Sequence, residues 1–262
     1  MNCLFRILAV PAATLFLMAA SAQADDQAKD SAGDPAIDPG AMQALNQMGS
    51  YLRALGPFRV ESTTTRETVL EDGQKIQYEG NVDVLARFPD GLRIHVTNDR
   101  HERLYLFNGK QFTLFGQRTN YYATIDAPAT VKLLAEALEE NYGITLPLTD
   151  LFLWGTDDAS TAAITVAKDL GLSVVGGATC QLFAFRQEGI DWQIWIQKGN
   201  YPLPRKLVIT TLTDEARPQY SATYRWDLAP SFNDAAFTFD PPEGALRVVL
   251  ENDSQTPDAS DE

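Results

Sequence analysis

The sequence predicts a mainly β (α+β) fold: one antiparallel sheet of about 10–11 strands that curls strongly without closing, as large open sheets do, with helices over its concave face. Three observations predict it. Runs of alternating apolar and polar residues recur through most of the chain, divided by turn signals such as Asp72-Gly73, Asn108-Gly109 and Glu188-Gly189. These connections are far too short for parallel crossovers, so consecutive strands must run antiparallel. Helical spacing is confined to the start and centre of the chain, where it has a sheet face to cover.

The 262-residue chain opens on an export signal, with a charge at Arg6, an apolar run from Ile7 to Ala20 and the small-x-small site Ala22-Gln23-Ala24. The run is shorter than the roughly 20 residues a spanning helix needs. No cysteine stands directly after it to accept a lipid; Cys3 precedes it. Residues 1–24 are therefore expected to be a cleaved signal peptide, the mature chain a soluble exported protein from Asp25 with no membrane span. Residues 25–38 and 251–262, rich in Asp, Ser, Ala and Pro, read as disordered acidic tails flanking a single domain over 39–250. Much of the net charge of −14 sits in those tails, and no continuous basic stretch offers a nucleic-acid footprint.

Asp38 followed by Pro39 is a helix start, and Met42, Leu45, Met48, Leu52 and Leu55 then recur at helical spacing up to Gly56. Strands follow in FRVESTTTRETVLE, KIQYEGNVDVLARF, LRIHVTN, ERLYLF, KQFTLF and TNYYATI. A second helix carries Val131, Leu134, Ala135 and Leu138 on one face and stops at Gly143. LPLTDLFLWG is a short apolar turn or helix, and TAAITVAKDLG, compatible with helix or strand, is read as helix. LSVVG, TCQLFAFRQ, IDWQIWIQ, PRKLVITTL, PQYSATYRWDL and ALRVVL complete the sheet.

Few residues offer catalysis. His95 and His101 have no cysteine or second histidine at ligand spacing, so both read as solvated or hydrogen-bonded side chains rather than metal ligands. Glu139-Glu140 are adjacent on a helix and face apart, and Asp157-Asp158 lack the repeated oxygen ligands of a calcium loop. No nucleophile elbow, phosphate loop or dinucleotide fingerprint occurs. Cys180, alone in the mature chain and within an apolar strand, reads as buried and inert. No metal or cofactor is expected.

The aromatic pattern is richer. In IDWQIWIQ, Trp192 shares a face with Ile190, Ile194 and Ile196, whereas Trp195 stands in the row of Asp191, Gln193 and Gln197. Tyr220, Tyr224 and Trp226 share one face of their strand; Phe183 and Phe185 oppose Leu182 and Ala184. Strands apolar on both faces need cover on both. Either the sheet has helices on one side and core on the other, or its concave face holds an apolar ligand behind a helical lid. The candidates for lining such a cavity are Phe183, Phe185, Trp192, Trp195, Tyr220, Tyr224 and Trp226, with Leu151 and Trp154 from the central apolar segment. Trp192 and Trp195 are expected on opposite faces, one of them inward.

DWQIWIQKGNYPLPRKLVIT and PQYSATYRWDLAPSFNDAAFTFDPPEGAL carry a resemblance. The tryptophan strand with Trp195, the hairpin with Pro202-Leu203-Pro204-Arg205, and the late Phe237 to Ala245 segment resemble predicted periplasmic proteins of the lipoprotein-carrier (LolA/LolB-like) superfamily. That superfamily includes lipoprotein carriers, outer-membrane acceptors and an envelope-stress sensor. The resemblance implies an unclosed, strongly curved antiparallel β-barrel, a half-barrel with helices at its mouth. Function does not follow from fold. The leading expectation is a binding or carrier protein for an acyl chain, lipid or lipidated protein. The alternatives are an envelope interaction or stress-sensor module without cargo and, since one relative of this fold is an enzyme, a catalyst.

Overall fold

A computed structural model describes residues 36–148 and 160–251. These lie in one unit, Pro35–Glu262. The expected signal peptide, most of the two tails, Asp157-Asp158, Leu151 and Trp154 lie outside the described residues.

Helix α1 (Pro39–Arg53) starts as its sequence dictates: the Asp38 carboxylate accepts from the backbone N–H groups of Gly40 and Ala41, and Pro39 occupies the first turn. Six strands follow: β1 (Phe58–Val69), β2 (Lys75–Arg87), β3 (Gly91–Asn98), β4 (Glu102–Phe107), β5 (Gln111–Gly116) and β6 (Tyr121–Asp126). Helix α2 (Val131–Tyr142) is capped by the Thr130 hydroxyl and ends on Gly143 at φ 59°. The second half holds β7 (Val166–Val175), β8 (Ala178–Gln187), β9 (Ile190–Gln197), β10 (Pro204–Thr211), β11 (Gln219–Asp227) and the two-residue β12 (Leu246–Arg247).

All twelve strands belong to one sheet, ordered β12-β6-β5-β4-β3-β2-β1-β11-β10-β9-β8-β7. It is two antiparallel meanders joined where β1 pairs with β11, from Arg59 opposite Asp227 to Arg66 opposite Tyr220. The sheet is open, with β7 and β12 at its edges. The mainly β, unclosed fold is as expected, with a strand count slightly above the range. The parallel pairing of β12 with β6 was not expected; a return segment reaches it where a tight turn could not.

One element departs from the sequence reading. TAAITVAKDLG is not a helix: after a 3-10 turn at Ser160–Ala163 it enters β7 and continues through LSVVG. Ala167 lies opposite Phe185 in the ladder with β8, and on its other side its backbone bonds Ala36 and Asp38. Those ladder bonds, with Thr165 and Val166 favouring extended backbone, outweigh the helical spacing. The register slips between Asp169 and Leu172, where Gly171 takes φ 87° and the Asp169 carboxylate accepts its N–H at 2.8 Å. A bulge therefore splits one strand into two pieces with different periodicity.

The two faces are covered differently. On the inner face Leu45, Met48 and Leu52 of α1 and Val131, Leu134 and Leu138 of α2 join Phe58, Val60, Val84, Ile94, Phe107 and Ile194 in one buried cluster. Fully burying such a side chain contributes about 1.5–3 kcal/mol. On the outer face the segment after β11 returns across β3 to β6. Phe237 packs beneath the Arg87 guanidinium, 4.8 Å from its ring centre, and against Gly91, where a Cβ would come 3.2 Å from the ring. Phe239 meets Phe115 and Tyr122 at 5.2 and 5.0 Å, and with Ala245 covers Leu104 and Leu106. Tyr105 and Phe107 point inward and Leu104 and Leu106 outward, which explains a strand apolar on both faces.

Candidate functional site: the inner face of the sheet

Strand register assembles the inner face row by row. Tyr220 of β11, Ile209 of β10, Trp192 of β9, Phe185 of β8 and Ala167 of β7 stand opposite one another in turn. The next row holds Ala222, Leu207, Ile194 and Phe183. Tyr224 faces Ser62, and Trp226 faces Val60. Phe185 and Trp192 stack with ring centres 4.3 Å apart at 22°. Trp226 leans on Phe58 at 5.4 Å and donates its indole N–H to the Pro204 carbonyl at 2.8 Å. Phe183, Phe185, Trp192, Tyr220, Tyr224 and Trp226 thus share the face that the helices cover.

Trp195 does not. It stands on the outer face opposite Leu182, donating its indole N–H to Ser173 Oγ at 3.0 Å, with the Lys206 ammonium 4.9 Å above its ring centre. The alternation that set it apart from Trp192 is obeyed, and Trp195 leaves the set of inner-face residues.

Cover thins along the face. Phe58, Val60 and Ser62 of β1 are buried, Thr64 is half-buried and Arg66 exposed. Ile194 is sealed, whereas Ile190, Ile209 and Tyr220, at the same end as Arg66, are half-buried although they pack against the core. The inner face is thus less fully covered at this end. On α1 at another rim of the cluster, Tyr51 meets Tyr201 of the β9–β10 connection edge to face at 6.3 Å; burial, then the neighbouring Tyr201, holds its phenol above the usual range.

Ser62 was not singled out by its sequence. It is 3 % exposed, and among the described residues its Oγ is the buried side-chain oxygen with no hydrogen-bond partner. Counting in twos from Phe58 and Val60 places it inward; nothing local shows that its hydroxyl goes unanswered.

Several titratable groups elsewhere meet local partners. His95 meets Glu102 at 3.0 Å on the outer face. His101 is held below the usual range, first by burial and then by Arg103, Arg118 and Arg100. Burial pushes the Cys180 thiol up, against an opposing pull from Arg205. Glu139 and Glu140 are exposed. Among the described residues no group of three His, Cys, Asp or Glu side chains could hold a metal ion. No helix among them is long and apolar enough to cross a membrane.

Comparison with known proteins gives the family. Residues 41–251 match the model of the family described as "Predicted periplasmic protein (DUF2092)". The chain belongs to this family. The resemblance carried by its C-terminal motifs is borne out, and the family's description makes it a periplasmic protein. No curated protein matches it. Similar solved structures include an uncharacterised conserved protein of Thermus thermophilus, with 12% identity and TM-score 0.46 over 80% of this chain and 99% of that one. Lipoprotein LppX of Mycobacterium tuberculosis has 13% identity and TM-score 0.44 over 74% and 98%. A LolA superfamily protein of Nitrosomonas europaea has 11% identity and TM-score 0.34 over 76% and 97%.

Proposed function

We propose that this periplasmic protein binds or carries a hydrophobic ligand, an acyl chain, lipid or lipidated protein, against the inner face of its sheet. The observation that carries the reading is the incomplete seal of that face. Ile190, Ile209 and Tyr220 continue the core outward at one end and stay half-buried, so apolar surface is left for something else to cover. Each buried methylene contributes about 0.8 kcal/mol, so one chain entering between Tyr220 and the aromatic row of Trp192 and Phe185 needs no specific polar contact. The reading is one of binding rather than catalysis, supported by histidines and carboxylates that are engaged with neighbours outside this face.

Native mass spectrometry of gently purified protein, with uptake of a fluorescent fatty acid, tests it. Co-purified lipid or saturable uptake is expected, and Tyr220→Asp with Ile209→Asp should weaken uptake at least tenfold. An empty protein that takes up no fatty acid overturns the proposal; if it also crosslinks to an envelope protein, the interaction-module alternative replaces it.

A further inference from the structure

The outer face carries a second feature, independent of the inner one. Where β11, β1, β2 and β3 lie side by side, a groove of about 740 Å³ opens on the side away from the helices. Its floor is a register row: Thr223 opposite Thr63, Thr63 opposite Asn81, Asn81 opposite Thr97. The turn at Val175 and Gly176 and the side chain of Arg205 line it as well. The volume lies within the 300–1,000 Å³ usual for small-ligand sites.

The charges around the row answer one another. Arg59 forks onto Asp83 at 2.8 and 2.6 Å, Arg225 pairs with Glu61, and His95 meets Glu102. Arg205 directs its Nε and one terminal nitrogen to Gln197 Oε1. What remains to meet a ligand is the Asn81 amide nitrogen and the accepting side of three hydroxyls, since Thr63 donates to Asn81, Thr223 donates to the Thr63 carbonyl and Thr97 meets His95 Nε2. Asn81 uses its Oδ1 to accept from Thr63 at 3.3 Å, and among the described residues its amide nitrogen has no partner. Adjacent strands lie about 4.8 Å apart, so the row repeats its hydrogen-bonding groups at that interval. That interval is close to the advance of one sugar ring in an extended glycan. Continuing the row across β10 and β9, through Lys206, leads to the half-buried ring of Trp195. The Lys206 ammonium already lies 4.9 Å from that ring's centre, so Trp195 offers a sugar only the part of its surface that Lys206 leaves uncovered.

We infer that this groove binds a neutral, extended oligosaccharide, laid across the strands from Thr97 to Thr223. The balanced local charge in an acidic protein suits a neutral ligand better than a polyanion.

Isothermal titration of the purified protein with β-1,4-linked N-acetylglucosamine and glucose oligomers, from monomer to tetramer, tests it. At least one series should bind, with the tetramer at least tenfold tighter than the monomer. Thr63→Val with Thr223→Val preserves strand shape and should weaken the tetramer at least tenfold; Asn81→Ser provides a second variant, and far-ultraviolet circular dichroism verifies folding of each. Tyr220→Asp on the inner face should leave glycan binding unchanged, which separates this site from the fatty-acid site. Failure of both series to bind, wild-type affinity in the folded variants, or loss of binding in Tyr220→Asp overturns the inference.

Discussion

His101 shows how a single side chain couples to pH. Asn98 Oδ1 accepts from the N–H groups of Arg100 and His101, which turns its amide nitrogen toward His101 Nε2 at 3.0 Å. That nitrogen must be unprotonated to accept, in keeping with the lowered pKa. A group whose folded pKa is depressed contributes stability above its unfolded value and loses it as pH falls through the folded one. Glu67 and Asp191 behave alike at lower pH. Glu67 is depressed first by the Gln219 N–H and then by Lys75, and Asp191 first by Arg186. The melting temperature should therefore fall from about pH 6.5 downward, and His101→Gln should flatten the first part of that fall. Ser62→Ala should raise the denaturant midpoint, since an unanswered buried hydroxyl costs about 1–3 kcal/mol; a fall of that size would reveal a partner for it. Cys180, fully buried, should resist a thiol reagent until the protein unfolds.

At the scale of elements, the bulge in β7 and the return segment on the outer face hold most of what a local reading misses. Gly171→Ala places a Cβ at φ 87° on an edge strand and should cost on the order of 1 kcal/mol, read from chemical denaturation. Phe237→Ala empties a site 1 % exposed between Arg87 and Gly91 and should cost about 3–5 kcal/mol. Strand faces were legible because alternation is local: Trp192 and Trp195 separate by parity alone, and so do Phe183 and Leu182. What covers each face was not legible, because it depends on residues far away in sequence. Leu106 is covered outside by Phe239 and Ala245, and Phe107 inside by the helix-bearing cluster. The motif from Phe237 to Ala245 could be seen as a family signature, yet its position on β3 to β6 had no local sign. β7 failed for another reason: its bulge resets the period of two, so neither half looks like a ten-residue strand.

For the molecule as a whole, helices on one face and a return segment on the other let one sheet offer two unlike surfaces. The inner is apolar and less fully covered at its Tyr220 end; the outer is polar around Thr63 and Asn81. The seam between the meanders has a further consequence, which lies in time. Thr223 reaches the Thr63 carbonyl across 160 positions, and β1 has no second neighbour until β11 arrives. Until then β1 presents a bare, hydrogen-bonding edge. A chain synthesised from its N-terminus must wait for most of its length before that edge is satisfied, and such long-range pairing is slow. Closing the seam therefore waits on a strand made late in the chain.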